Sequence, residues 1–200
     1  MSGYREVRRL LGGKYRAVIT TDDCAENPFR DDDVRDDVRL VQFHRNYGTK
    51  HGFEDQAAVD RHCADTGAVG LPAYLTEHSA VHYSTSQISG WDSGRIGYVL
   101  FEKDYVQMIA KRLCAKPKSK HVVERLKEIA ESMLSVYTAY ANGYVYVVQI
   151  FEGDEEWDAV DETSGLYGDD AVDQFIDKFV TSLNPPPPPL HFMPAIEAFV

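Results

Sequence analysis

Cysteine is scarce in this chain. Its 200 residues hold only Cys24, Cys63 and Cys114, an odd number at wide spacings. They build neither a disulfide framework nor a Cys-x-x-Cys metal knuckle, and a reducing compartment, the cytosol, is expected. Long apolar runs are missing too. No stretch of about 18 apolar residues exists to span a bilayer. The arginine-bearing N-terminus has no apolar h-region, so no secretory signal is expected. Base is in short supply: 21 Lys and Arg stand against 32 Asp and Glu, a net charge of −11. A dominant basic surface is what duplex binding needs, so direct binding of duplex nucleic acid is not expected.

Familiar catalytic signatures are absent as well. There is no P-loop and no Gly-x-Gly-x-x-Gly following a strand. Ser93 has no Gly-x-Ser-x-Gly elbow around it. The pair His78 and His82 lacks the His-Glu-x-x-His order, and on a strand two positions four apart lie about 13 Å from each other. Asp31-Asp32-Asp33 and Asp169-Asp170 do not match a calcium loop. Cys63 and Cys114 fall in expected helices and read as small core residues. No cofactor is expected.

What is present reads as a globular protein. Apolar residues make up 44% and charged residues 26%, enough for a substantial core without staples. Residues 1–13 read as a flexible basic arm ending in Gly12-Gly13. A single domain is expected over 14–183, and a polyproline linker with an apolar tail over 184–200. Strands are expected at 15–20, 38–44, 80–86, 96–101 and 144–151, with the third and fourth forming a hairpin or neighbouring in a sheet. Leu71–Leu75 reads as a short apolar piece broken by Pro72, and Trp91-Asp92-Ser93-Gly94 as a turn. Helices are expected at 54–65, 104–115, 122–141 and 169–183. In the longest, Val122, Leu126, Ile129, Met133, Val136 and Tyr140 form the apolar stripe. A polar return through 157–168 reads as an outer hairpin. The order fits an α+β fold, a mostly antiparallel sheet packed by the long amphipathic helix and the C-terminal helix.

Charge is unevenly spread. Residues 152–178 carry eleven acids against one base, and residues 103–127 carry eight bases against two acids. Acidic segments keep a protein in solution. They also complement a basic partner, and Asp154, Glu155, Glu156, Asp158, Asp161 and Glu162 are the candidate contact residues for one. A rival reading takes His44, His51, His78 and Asp92 as ligands of a metal-assisted hydrolase, since five of the seven histidines fall between His44 and His82. A third is a structural or self-assembling protein. Pro185 to Pro189 would form an extended rod, and the apolar residues 190–200 beyond it would fold back or dock on a partner or second copy.

The stretch from Asp23 to Gly168 resembles a family of small, uncharacterised proteins of bacteriophages, prophages and plasmids. The likeness rests on Glu26-Asn27-Pro28, on His44 with Tyr47-Gly48 and Lys50-His51, and on Leu75-Thr76-Glu77-His78-Ser79. It continues through Trp91-Asp92-Ser93-Gly94 with Ile96-Gly97, Gly143-Tyr144-Val145-Tyr146 and Tyr167-Gly168. The chain departs at Ser89-Gly90, where the family has Cys-Pro, and at Ser164-Gly165-Leu166, where a Cys-Trp-Gly-Phe run is usual. The resemblance implies a mobile-element context and no chemistry. Together these readings predict an accessory protein that binds and inhibits a host protein in the host cytosol. Its specific form is a host-defence inhibitor whose acidic face mimics nucleic acid.

Overall fold

The computed structural model describes residues 4–29, 37–46, 52–87, 92–154 and 157–183. The polyproline segment, the apolar tail and His51 lie outside these residues. The fold is α+β, with two four-stranded antiparallel sheets rather than the one sheet expected. The first runs β1 (Arg5–Leu10), β2 (Tyr15–Thr21), β7 (Val145–Glu152) and β8 (Asp161–Tyr167), in that order. The second runs β3 (Val38–Gln42), β6 (Ser93–Phe101), β4 (Val69–Glu77) and β5 (Val81–Ser84). An N-terminal and a C-terminal hairpin thus meet along β2 and β7, with Ile19 opposite Val148. The second sheet and three helices are inserted between them.

Residues 5–10 are a strand and not a loose arm. Its exposure alternates: Glu6, Arg8 and Leu10 are half-buried, whereas Arg5, Val7 and Arg9 are exposed. Leu10 packs on the first core, and Arg8 reaches Asp173 on helix α4 (Asp169–Leu183) at 2.5 Å. Arginine-rich composition hid an edge strand, where charged side chains guard the open side and their aliphatic stems still cover apolar surface. Gly12 and Gly13 have φ of 67° and 94°, so the pair turns the β1–β2 hairpin in a conformation that side chains resist.

The expected pairing of 80–86 with 96–101 does not occur, because β4 lies between β5 and β6. Every residue of β6 from Ile96 to Phe101 is buried, which demands neighbours on both edges as well as cover on both faces. A continuous apolar run reveals such a strand but not its partners. The strand β4 passes straight through Pro72, because β5 covers only Tyr74 to Glu77 and leaves β4 one-sided at the proline. The segment read as a turn at Trp91 to Gly94 is already strand from Ser93, which pairs with Thr76. At Gly97 a Cβ would stand 1.9 Å from the Val41 carbonyl oxygen, so only glycine lets β3 approach.

Helices α2 (Lys103–Arg112) and α3 (Lys120–Ala141) cover one face of the second sheet, and α1 (Gln56–Thr66) covers the other. The Asp55 side chain caps α1 by accepting from the Ala58 N–H at 2.7 Å. The buried line of α3 is Val122, Leu126, Ala130, Leu134 and Tyr137, with Ile129, Met133 and Tyr140 flanking it half-buried. The expected stripe is therefore rotated. Small Ala130 at its centre lets the helix sit close to the sheet, which a stripe of large residues does not reveal. Cys114 is exposed just beyond α2, against the core position expected of it, while Cys63 is half-buried on α1. On the first sheet, Val172, Ile176 and Phe179 of α4 pack on Tyr15, Ala17, Ile19 and Val148. Among the described residues no helix is long and apolar enough to cross a membrane.

The outer edge of β5 is closed by side chains of α3. Asn142 accepts the Val81 N–H at 3.0 Å and donates to the Val81 carbonyl at 2.8 Å. Thr138 accepts the Tyr83 N–H at 3.0 Å while its own hydroxyl donates to the Leu134 carbonyl. Glu131 accepts the Thr85 N–H at 3.1 Å. Residues 81 and 83 alternate along β5 and Thr85 follows directly after it, so their N–H groups share one side, and α3 with its C-cap Asn142 supplies an acceptor to each.

Candidate docking site

The hairpin joining β7 to β8 gathers the described members of the acidic set. Its two stems are pinned. The Gly153 N–H donates to the Lys14 carbonyl at 2.9 Å, and Arg16 donates to the Asp154 carbonyl at 2.9 Å. On the return, the Val160 N–H donates to the Ile150 carbonyl at 2.7 Å, and Asp161 and Glu162 pair with Ile150 and Gln149. Asp154, Asp158 and Glu162 are exposed and Asp161 is half-buried. The Gln149 amide donates to the Glu162 carboxylate at 3.2 Å, holding it against the sheet. Glu155 and Glu156 lie outside the described residues.

Sequence reasoning missed what stands among these carboxylates. Trp157 is 85% exposed, and Val160 nearby is 50% exposed. Indole carries more apolar surface than almost any side chain and is ordinarily kept from water. Tryptophan is also enriched among the residues that dominate binding energy. The usable signal was composition, a lone tryptophan inside an acidic turn. Base lies at the foot of the hairpin: Lys14 stands 3.6 Å from Glu152. Hydrogen bonding to Tyr15, with the nearby Glu152 charge, holds that ammonium above the ordinary lysine range.

Of the histidine set, His44, His78 and Asp92 are among the described residues. His78 Nδ1 and Asp92 Oδ2 lie 3.7 Å apart at the β4–β5 turn. His44 follows β3, on the other side of β6 from that turn. No group of three His, Cys, Asp or Glu residues able to hold a metal ion occurs among the described residues.

Two polar clusters tie α1 to the second sheet. Glu102 receives Arg39 at 2.5 Å and His62 at 2.9 Å, and Phe53 stacks edge-on to the His62 ring at 5.4 Å. The Tyr98 hydroxyl donates to Asp60 at 2.7 Å, with the Arg95 guanidinium 4.4 Å from the ring centre. Burial, reinforced by that hydrogen bond, pushes the Tyr98 phenol up to about 12. Separations of 38 to 63 residues kept these partners out of any local pattern.

Fold and surface together define an α+β protein of two antiparallel sheets that presents an exposed tryptophan on an acidic hairpin. Comparison with family models, with curated proteins and with solved structures finds no match to this chain.

Proposed function

We propose that this protein acts by binding, docking its β7–β8 hairpin onto the basic surface of another protein. The observation that carries this reading is Trp157, 85% exposed and flanked by the exposed carboxylates of Asp154, Asp158 and Glu162 on a hairpin pinned at both stems. An aromatic anchor within a field of one sign supplies two elements of recognition. The charges steer the encounter and exclude partners of like charge, and the indole supplies apolar contact that water cannot replace. The complementary surface is positive and grooved, as nucleic-acid-binding sites are. With the resemblance to phage and plasmid proteins, the reading becomes a mobile-element protein that occupies the nucleic-acid site of a host protein in the host cytosol. Inhibition of a host defence factor is its specific form.

The test is capture from host lysate by wild type and by the variant carrying Asp154→Lys, Asp158→Lys and Glu162→Lys. A nucleic-acid-binding protein should be held at low salt, released as salt rises, displaced by added oligonucleotide, and lost in the variant. Capture that is equal for both proteins at every salt concentration would rule the reading out.

A further inference from the structure

Five cations crowd the passage from α2 to α3. Lys111 and Arg112 end α2, Lys116 and Lys118 lie in the connection, and Lys127 stands two turns into α3. All five are exposed, and among the described residues none of their side chains has an ion pair or hydrogen bond. The acids between 111 and 128 are already taken: Glu124 by Lys120 at 3.6 Å and Glu128 by Arg125 at 2.7 Å. Yet this chain has 32 acids against 21 bases, and Arg8, Lys14 and Arg39 each stand beside a carboxylate. Like charges gathered without counter-charge repel one another, a cost that an anionic partner removes. The backbone fixes the connection. The Cys114 N–H donates to the Lys111 carbonyl at 3.2 Å, Ala115 to Ala110 at 2.9 Å, and Ser119 to Lys116 at 2.9 Å. Ala115 packs on the main core and is the one residue from 111 to 118 that is not exposed.

Aliphatic surface lies among the charges. Leu113 is 42% exposed, and Val123, 38% exposed, shares a helix face with Lys120 and Lys127, three residues before it and four after. The exposed aromatic residues of the described chain, Tyr4, Tyr144 and Trp157, are elsewhere. Single-stranded nucleic acid asks its site for rings on which bases stack, whereas cations interspersed with aliphatic side chains suit the headgroup layer of an anionic bilayer. We propose that the α2–α3 connection docks this protein on an anionic phospholipid surface. The five cations meet lipid phosphates, and Leu113 and Val123 enter the headgroup layer. The acidic remainder of the chain is repelled by such a surface, but screening confines that repulsion to a Debye length of about 10 Å at 0.1 M salt. The contact is peripheral. It uses no residue of the β7–β8 hairpin, so it holds or fails independently of the host-protein reading.

The experiment is co-sedimentation of the full chain with vesicles of phosphatidylglycerol mixed with phosphatidylcholine, and with vesicles of phosphatidylcholine alone. Wild type should partition to the anionic vesicles only, and less as salt rises from about 0.1 M to about 0.5 M. Each cation near such a surface is worth about fivefold in partitioning, so Lys116→Gln with Lys118→Gln should lower the partition coefficient about 25-fold. Leu113→Ser should lower it as well. Arg9→Gln with Arg61→Gln makes the same change in net charge at exposed positions on β1 and α1, and should partition as wild type does. All of these side chains lie outside the buried core, so folding is kept. Equal partitioning to both kinds of vesicle, partitioning to neither, or double variants that behave alike would overturn the proposal. So would retention by a single-stranded oligonucleotide without vesicle partitioning, which would give the patch to nucleic acid.

Discussion

Replacing Asn142 with alanine removes three hydrogen bonds at once. The amide links the end of α3 to both backbone groups of Val81 and to the Thr138 carbonyl. The Val81 groups belong to the outer edge of β5, where no further strand pairs among the described residues. Val81 is half-buried, so water regains part of what is lost, and each bond is worth the ordinary net of about 0.5–1.5 kcal/mol. The expected loss is about 1.5–3 kcal/mol in total, enough to lower the urea midpoint clearly with an unchanged slope. Asn142→Asp separates the contributions. It keeps an acceptor for the Val81 N–H but turns a carboxylate toward two carbonyl oxygens at a helix C-terminus, where negative charge is unfavourable. At neutral pH it should be at least as destabilising as alanine. Amide hydrogen exchange supplies the local readout: the Val81 N–H should exchange faster in both variants relative to the centre of β6. A loss below about 0.5 kcal/mol in Asn142→Ala, or unchanged exchange at Val81, would refute the view that this helix seals the sheet edge.

The remaining expectations concern the second sheet. Gly97→Ala should prevent β3 from pairing with β6, since the new methyl would overlap the Val41 carbonyl. A cost above about 3 kcal/mol, seen as a collapsed denaturant midpoint or insoluble protein, is expected. Leu134→Ala empties a fully buried site beneath α3 and should cost about 2–5 kcal/mol by the same assay. Tyr98 has its folded pKa raised above the unfolded value, so its contribution is complete below pH about 10 and is lost as pH rises through about 12. Ultraviolet titration should show a late tyrosinate that disappears in Tyr98→Phe, and the variant should have a shallower alkaline loss of stability.

Local signals were legible wherever one segment carried its own instruction. All four helices lie within a few residues of where apolar spacing and helix-ending residues put them. The strand at Val145–Glu152 announced itself by aromatic and β-branched alternation. The errors share a cause. β1 was misread because its partners' contributions, from β2 and α4, lie outside the segment. The break expected at Pro72 depended on whether a neighbour needed that N–H, which the stretch Leu71–Leu75 does not say. The candidate site followed the same division. Its acidity was readable as composition, whereas the exposure of Trp157 required knowing that β8 is an edge strand of its sheet and that no other described element covers residues 157–160.

Composition, periodicity and helix-ending residues by themselves determined the α+β class, the positions of the helices and the acidic character of the 152–178 segment, because each is a property of neighbours along the chain. Tertiary structure alone decided that there are two sheets, that β4 separates β5 from β6, and that α3 seals an open edge. It also decided that His78 and Asp92 come together with His44 on the other side of β6, and that an indole faces water. Those outcomes depend on which distant backbone groups pair and which apolar faces meet, and such interactions leave no period in the sequence.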